Sequence, residues 1–252
     1  MTGLDNLQRI LIESVGGFLR NVDRRLGVTC TVCATPIESG EFCSACRDHR
    51  RDWGERLADV VAPVAYGGQN PQSRVLLYGY KEPAAALQGD ERRDQISLLV
   101  RVAYSLHSGC IERRVGAPIT AWTVVPSTSQ RPGHVLAGLA EQMLGAKGRG
   151  VTRAAAAQPA DPRTVGRGRY VLEDACRLAG KHVVVIDDTW VTGGRAQSLA
   201  LSLRENGASN VSVLVLARWL NVEWLPTRRY LAANPHSDFD PTSCPVTGKR
   251  CQ

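Results

Sequence analysis

The spacing of apolar residues changes along this chain, and each spacing predicts a different element of secondary structure. From residue 4 to residue 20 the apolar side chains recur at steps of three and four, which predicts an amphipathic helix that packs through one face. The same steps predict helices over 90–109, 133–144 and 194–206, and the mixed segment 72–80 favours a short helix.

Four shorter apolar segments predict strands, at 59–66, 119–125, 181–186 and 211–217. The last two carry unbroken apolar runs, which are typical of central parallel strands with both faces buried. Because strands alternate with helices, we predict an α/β fold with a central parallel sheet flanked by helices. Ligands of such sheets bind beyond the carboxyl ends of the strands, so the residues after Ile186 are the first place to look for a site.

Composition narrows the class of protein. The 252 residues are 43% hydrophobic and 22% charged, as in globular proteins, which excludes a disordered chain. No apolar run reaches the ~18–20 residues that cross a bilayer, so we expect no membrane span. The N-terminus lacks the features of a secretion signal, and we therefore expect a cytoplasmic protein.

The net charge of +7 and the pI near 9.2 favour anionic partners such as nucleic acids, nucleotides or phosphorylated metabolites. The basic residues are scattered in pairs, such as Arg50-Arg51 and Arg92-Arg93, and form no tract. A solvated basic surface explains them as well as a nucleic-acid interface does. The charge alone therefore does not identify the partner.

Half of the eight cysteines form a regular pattern, Cys30-x2-Cys33-x9-Cys43-x2-Cys46. Each Cys-x2-Cys pair can present two thiolates on one side of a turn, and two such pairs complete a tetrahedral zinc site. Since four thiolates fill the coordination shell, the predicted zinc is structural. We call these residues the four-cysteine group.

The remaining cysteines predict less. Cys110 and Cys176 stand among apolar residues and are interpreted as core residues. We interpret Cys244 and Cys251 as exposed thiols on a flexible tail; the alternative is half of a second metal site with His236.

The segment after the apolar run Val183–Ile186 combines two carboxylates, Asp187 and Asp188, with a Thr-Gly-Gly turn and a helix. A helix N-terminus preceded by glycines can bind a phosphate through its free N–H groups and its dipole. Adjacent carboxylates can hold vicinal sugar hydroxyls, directly or through Mg²⁺. This combination predicts a site for a ribose 5-phosphate. A helix N-cap pair is the weaker interpretation of the two acids.

This segment resembles the phosphoribosyl pyrophosphate (PRPP) motif of the type I phosphoribosyltransferases, in which two acids and a Thr-Gly turn follow a hydrophobic run. With the four-cysteine group before it, the chain is similar to the ComF family of competence proteins over roughly residues 28–218. Segments 77–81 and 125–134 resemble two further family stretches, the second of which receives pyrophosphate.

The resemblance implies that the acidic pair, Asp187 and Asp188, contacts the ribose hydroxyls, with Mg²⁺ bridging them to pyrophosphate. It implies that Lys81, Ser127 and Arg131 lie near the pyrophosphate, and that the catalytic residues are Asp187, Asp188 and Lys81. The resemblance also implies a flexible flap over 145–168, with Arg163, Arg167 and Arg169 available to neutralise the negative charge of the bound ligand. The residues expected to surround the 5-phosphate are Thr189, Trp190, Val191, Thr192, Gly193, Gly194 and Arg195.

The chain departs from the family pattern at two positions. Arg195 stands where many members have Thr or Ser, so a cation replaces a hydroxyl. Val191 stands where some relatives have an acid that acts as a base, so turnover would need another base or a nucleophile that needs none. Trp190 is interpreted mainly as a packing residue.

We divide the chain into an N-terminal helix (1–27), the four-Cys zinc segment (28–50), a phosphoribosyltransferase-like domain (59–218) and a C-terminal tail (219–252). The expected function is a pentosyl (glycosyl) transfer: Mg²⁺-dependent transfer of ribose 5-phosphate from PRPP to a nitrogen nucleophile, with release of pyrophosphate. The alternative is a non-catalytic accessory protein of DNA uptake, which binds DNA or a protein partner.

Overall fold

The computed structural model describes residues 3–82, 87–126, 135–144, 150–151, 154–156, 161–173, 178–235 and 237–251. Ser127 and Arg131, expected near pyrophosphate, lie outside the described residues, as do Cys176 and His236. The helices are α1 (Gly3–Val15), α2 (Ser44–Trp53), α3 (Pro71–Gly79), α4 (Leu87–Val115), α5 (Val135–Leu144), α6 (Gly194–Glu205) and α7 (Leu225–Ala233). No helix in this part of the chain combines the length and apolar character needed to cross a membrane.

A mostly parallel sheet forms the centre of the molecule, in the order β1-β2-β8-β7-β3-β4. Its only antiparallel pair among the described strands is β1 with β2. A separate antiparallel pair joins β5 to β6. The strands are β1 (Arg20–Asn21), β2 (Val60–Gly67), β3 (Ala121–Val124), β4 (Gly150–Val151), β5 (Ala154–Ala156), β6 (Tyr170–Leu172), β7 (His182–Trp190) and β8 (Asn210–Trp219). The predicted α/β architecture is confirmed.

Helices and the four-Cys segment cover the two faces of this sheet. Val184 and Ile186 of β7 belong to a core shared with α1, α4 and α5. Val183 and Val185 point to the opposite face, where they join a core with α6 and the four-cysteine group. Both faces of β7 are therefore buried, as its apolar run predicts.

Strand β7 is longer than its apolar run. The sequence predicts its end at Ile186, whereas the strand continues through both acids to Trp190. The reason is its partner, because β8 offers ladder positions as far as Arg218, which pairs with Trp190. The acidic pair thus lies on a strand end and not in a loop.

The C-terminal region is more ordered than a tail. It contains α7, and Phe239 and Cys244 beyond that helix are buried. The backbone N–H of Phe239 donates to the carbonyl of Gly16, which fastens the segment to the end of α1. The prediction of exposed thiols is wrong for Cys244, which is 3% exposed, and Cys251 is only partly exposed.

Two neighbouring residues of α1 test how this helix packs. Leu11 is fully buried against the sheet and α4, whereas Ile12 is 42% exposed. We expect Leu11→Ala to lower the free energy of unfolding by about 2–5 kcal/mol, because it leaves a cavity in a close-packed core. Ile12→Ala should change it by about 0.5 kcal/mol or less. Urea unfolding of both variants measures the difference, and equal losses would contradict the packing.

Candidate functional site

The chain reverses its direction of winding between β3 and β7. From β3 it runs through α5 to the outer strand β4, and α5 packs on the face that includes Ile186. From β7 it runs through α6 to β8 on the other side, and α6 packs on the opposite face. Such a switch opens a crevice at the carboxyl ends of the two strands, where α/β proteins bind ligands.

Strand β3 ends early and leaves part of β7 open at this crevice. Its last residue, Val124, pairs with Ile186, so that the residues from Asp187 to Trp190 pair with β8 alone within the described chain. Across the opening, the Arg195 guanidinium at the start of α6 donates to the carbonyl of Pro126. The open edge of β7 thus faces a cation and the end of β3.

The acidic pair points to the two opposite faces of β7, as successive residues of a strand do. Asp188 is directed toward the end of α3, where its Oδ2 forms an ion pair with Lys81 Nζ and accepts a hydrogen bond of 2.6 Å from the Tyr80 hydroxyl. Asp187 Oδ1 accepts a hydrogen bond of 3.1 Å from the Asp188 amide. The structure therefore places Lys81 beside Asp188, and its expected position near the pyrophosphate stays a prediction.

The pKa values of the two carboxyls shift in opposite directions although both residues are about 6–7% exposed. Burial and the neighbouring Asp188 charge raise the pKa of Asp187 to about 7, against the opposing effect of Arg195 and Lys81. Burial also acts to raise the pKa of Asp188, but the charge and hydrogen bonds of Lys81 and Tyr80 outweigh it and lower the pKa. Groups poised near neutral pH in a crevice are typical of functional sites.

The turn between β7 and α6 requires both of its glycines. Gly193 has φ = +86°, and a Cβ there would lie 2.0 Å from Cζ2 of Trp190. A Cβ on Gly194 would lie 2.5 Å from the carbonyl oxygen of Thr164. The Trp190 ring, 1% exposed, packs beneath this turn, which agrees with its interpretation as a packing residue. We call residues 191–194 the glycine turn.

One side of the glycine turn is covered by the described end of the expected flap. The Thr192 hydroxyl donates to the carbonyl of Arg163 at 2.8 Å, and the amide of Gly166 donates to Ser198 Oγ at 3.0 Å. Val191, 48% exposed, reaches the surface. The first N–H groups of a helix have no partners within that helix, and those of α6 follow directly on this turn.

The expected arginines of the flap have other partners. Arg167 forms an ion pair with Glu205 at the far end of α6, at 2.8 Å. Arg169 is buried and donates to the carbonyl of Asp161 at 2.6 Å. Arg163 contributes its carbonyl to the glycine turn. The cations placed at the acidic pair are instead Lys81 and Arg195.

Tyr80 is a residue of this site that the sequence pattern does not indicate as such. Its ring is buried, and its hydroxyl binds Asp188 directly. Its position next to Lys81, just after α3, is the local signal that could have indicated it. A phenol at such a position otherwise looks like a core aromatic residue.

The four-cysteine group lies on the α6 face of the sheet. Cys30 and Cys33 belong to a tight turn, whereas Cys43 and Cys46 flank the start of α2. The four residues are buried and their ligand atoms lie within 4.8 Å of one another, so that the group could hold a metal ion. The Sγ atoms of Cys33 and Cys43 are 3.8 Å apart, close to the ~3.7 Å edge of a tetrahedron with zinc–sulfur bonds of ~2.3 Å.

No protein-family model matches this chain, and no curated protein matches it. Among solved structures, it is similar to hypoxanthine-guanine phosphoribosyltransferase of Leishmania donovani, with 11% identity and a TM-score of 0.32 over 49% of this chain and 71% of that chain. Adenine phosphoribosyltransferase of Saccharomyces cerevisiae matches with 18% identity and a TM-score of 0.34 over 54% and 74% of the two chains. The adenine phosphoribosyltransferase of Leishmania donovani matches with 13% identity and a TM-score of 0.24, over 91% of this chain and 93% of that chain. We base no conclusion about function on matches with these TM-scores. Membership of the ComF family stays a prediction.

Proposed function

We propose that the crevice between the carboxyl ends of β3 and β7 binds PRPP and transfers its ribose 5-phosphate to a nitrogen nucleophile, with release of pyrophosphate. The observation that carries this proposal is the buried acidic pair at the topological switch point, directly before the glycine turn of α6. A carboxylate pair suits the sugar hydroxyls, and a glycine-led helix N-terminus suits a phosphate.

The 5-phosphate lies at the glycine turn in this proposal. The N–H groups and the dipole of α6 favour an anion there, and Arg195 adds a full positive charge in the first turn. The ribose then extends along the open edge of β7 toward Asp187 and Asp188. Arg195 faces Asp187 in the free protein and is thus placed between the phosphate and the sugar.

In this proposal Lys81 pairs with Asp188 before the ligand binds and with the pyrophosphate afterwards. In the free protein its ammonium compensates the charge of Asp188. When the ribose hydroxyls or a cation occupy Asp188, the ammonium becomes available to the pyrophosphate. Lys81 is 37% exposed and can therefore move without unpacking the core. This exchange keeps the buried carboxylate compensated in both states, which the high cost of an unpaired buried charge requires.

The acidic pair also fits Mg²⁺, because carboxylate oxygens are its usual protein ligands. Because the two carboxyls point to opposite faces of β7, Asp187 or Asp188 would hold the ion together with the ribose hydroxyls, and it would supply charge neutralisation for the leaving pyrophosphate. The bond from C1 to the pyrophosphate oxygen breaks and pyrophosphate leaves with the bonding electrons, while a bond from C1 to nitrogen forms and the proton that the nitrogen loses passes to solvent. Positive charge develops on the sugar, so the negative charges of the site and the cations around the leaving group contribute most of the catalysis.

DNA binding, the alternative function, receives no support from the described basic residues near the four-cysteine group. Arg51 forms ion pairs with Asp48 and Asp52, at 3.0 and 2.8 Å. The Arg50 guanidinium lies over the Phe42 ring, 5.1 Å from its centroid. These cations have local partners, and DNA or an uptake protein as a partner stays a prediction.

The four-cysteine group holds one structural zinc in this proposal. Four thiolates complete its coordination and leave no open position for substrate. Burial acts to lower the pKa of Arg218, but the nearby thiols Cys33, Cys43 and Cys46 outweigh it and raise the pKa. A buried cation thus already offsets the negative charge that a zinc–thiolate site carries.

The first prediction concerns ribose binding. Asp188→Asn should weaken PRPP binding in the presence of Mg²⁺ about 10- to 100-fold, because a hydrogen bond to a charged group contributes about 1.5–3 kcal/mol. Isothermal titration calorimetry measures the affinity, and circular dichroism checks that the variant is folded. Glu38→Gln, an exposed acid of the four-Cys segment, is the control and should bind as the wild type does. Wild-type protein that does not bind PRPP would overturn the proposed function.

The second prediction concerns the pH dependence of stability. Since the native pKa of Asp187 is about 7, above the ~4 of an unfolded carboxyl, the native state retains a proton that the unfolded state loses. The contribution of Asp187 to stability therefore falls as pH rises from ~4 to ~7. Asp187→Asn should raise the melting temperature, and by more at pH 8 than at pH 5. The Asp188 carboxyl has a lowered pKa, so Asp188→Asn should lower the melting temperature at both pH 5 and pH 8. Equal effects of Asp187→Asn at the two pH values would contradict this assignment.

The third prediction concerns the four-cysteine group. Cys33→Ser should release one zinc ion per chain and lower the melting temperature, because a structural zinc contributes directly to folding. Elemental analysis by mass spectrometry measures the zinc content of purified protein. Glu38→Gln, an exposed acid in the same turn region, should keep the wild-type content. If the content of Cys33→Ser equals that of the wild type, the four-cysteine group is not a zinc site.

A further inference from the structure

A second set of metal-ligating side chains lies outside both sites described above. His107 and Cys110 stand one helical turn apart on α4, and Cys244 and Cys251 come from the C-terminal segment. One ligand atom of each residue lies within 4.8 Å of the others. His107, Cys110 and Cys244 are buried, and Cys251 is partly buried. We call these four residues the C-terminal Cys group.

The turn that contains Cys244 has the same backbone hydrogen bonds as the turn that contains Cys30. In the first turn the Cys30 amide donates to the carbonyl five residues later, at 2.8 Å, and the amide four residues later donates back to Cys30, at 2.8 Å. In the second turn the corresponding distances from Cys244 are 2.7 and 2.8 Å. An isolated bridge closes both turns at equivalent positions, Thr29 with Pro36 and Ser243 with Arg250.

The resemblance of the turns includes their least common backbone conformation. The fourth residue after the cysteine has a positive φ in both, +59° at Ala34 and +71° at Gly248. Such a turn directs the cysteine sulfur and nearby amides to one side, as in the four-cysteine group. The turns differ in their second ligand, because Thr247 occupies the place of Cys33 and the chain supplies Cys251 instead.

The distances in the C-terminal Cys group suit a tetrahedral metal. The Sγ atoms of Cys110 and Cys251 are 3.6 Å apart, and Nδ1 of His107 is 3.2 Å from Cys251 Sγ. A zinc ion with Zn–S bonds of ~2.3 Å and a Zn–N bond of ~2.0 Å places its ligand atoms ~3.5–3.7 Å apart. The two groups also share one construction, in which a turn and its flanking residues supply two ligands and an i, i+3 pair at the start of a helix or within it supplies the others.

We propose that His107, Cys110, Cys244 and Cys251 bind a second, structural zinc ion. Thiolates and imidazole are the ligands that zinc prefers, and four protein ligands close its coordination. Three thiolates and a neutral imidazole leave one net negative charge on the complex. Arg113 offsets it, since its guanidinium donates to Cys110 Sγ at 3.2 Å.

The ion fastens the C-terminal segment to α4. This segment passes β1, where the Asn21 side chain donates to the Asp240 carbonyl and accepts from its amide, both at 2.8 Å. Beyond that point the ligands Cys244 and Cys251 join it to α4. A cross-link between residues so distant in sequence restricts the unfolded chain strongly.

Zinc content and ligand type test this proposal on the full chain purified under reducing conditions. Mass spectrometric elemental analysis should find two zinc ions in the wild type and one in Cys251→Ser. Lys249→Ala, in the same turn but exposed, is the control and should keep two. Wild-type protein with a single zinc that Cys251→Ser retains would overturn the proposal, as would a Cys110–Cys251 disulfide in place of metal.

Cadmium substitution gives a second test that does not depend on the stability of a variant. The ¹¹³Cd NMR spectrum of the wild type should contain one signal of a four-sulfur site and one of a site with three sulfurs and a nitrogen. His107→Cys should move only the second signal into the four-sulfur range. A spectrum with no signal of the mixed type would overturn the second site, whereas the Cys33→Ser variant reports on the four-cysteine group independently.

Discussion

The need to compensate two buried carboxylates at the end of β7 determines how this edge of the sheet is built. Both faces of the strand are covered, so neither Asp187 nor Asp188 can rely on water. On one face α3 ends early enough to bring Tyr80 and Lys81 to Asp188. On the other face α6 begins so that Arg195 faces Asp187. Since buried charges are costly and perturbed carboxyls cluster at functional sites, this arrangement supports a functional role.

The central elements could be predicted because their signals are local. The apolar runs of β7 and β8 and the periodicity of α6 lie within single segments, and the structure contains all three. The end of β7 could not be predicted, since Asp187–Trp190 form a strand only because β8 provides ladder partners. Short strands such as β1 likewise depend on a neighbour, here β2, and leave no periodic pattern.

The same distinction applies to the candidate sites. The acids and the glycine turn lie within one short segment of the sequence, and the four-cysteine group lies within another. Their chemistry could therefore be predicted. The role of Tyr80 depends on where α3 ends relative to a strand 108 residues away. Cys251 lies 141 residues from Cys110, and its irregular spacing from Cys244 suggested a free thiol. The local signal for the second group was the His-x2-Cys spacing of His107 and Cys110 on α4, because residues three apart lie on the same side of a helix.

The four-cysteine group and the crevice are not independent parts of this molecule. Arg218 of β8 faces the thiols of the four-cysteine group, and its Nη1 donates to the carbonyl of Trp190 at 2.8 Å. Trp190 in turn packs so closely beneath Gly193 that a Cβ would not fit. A contiguous set of buried contacts thus leads from four cysteines through one arginine to the glycine turn. In the proposed function the amides of the glycine turn bind a phosphate and must stay in place, and the zinc proposed behind Arg218 would help to hold them there.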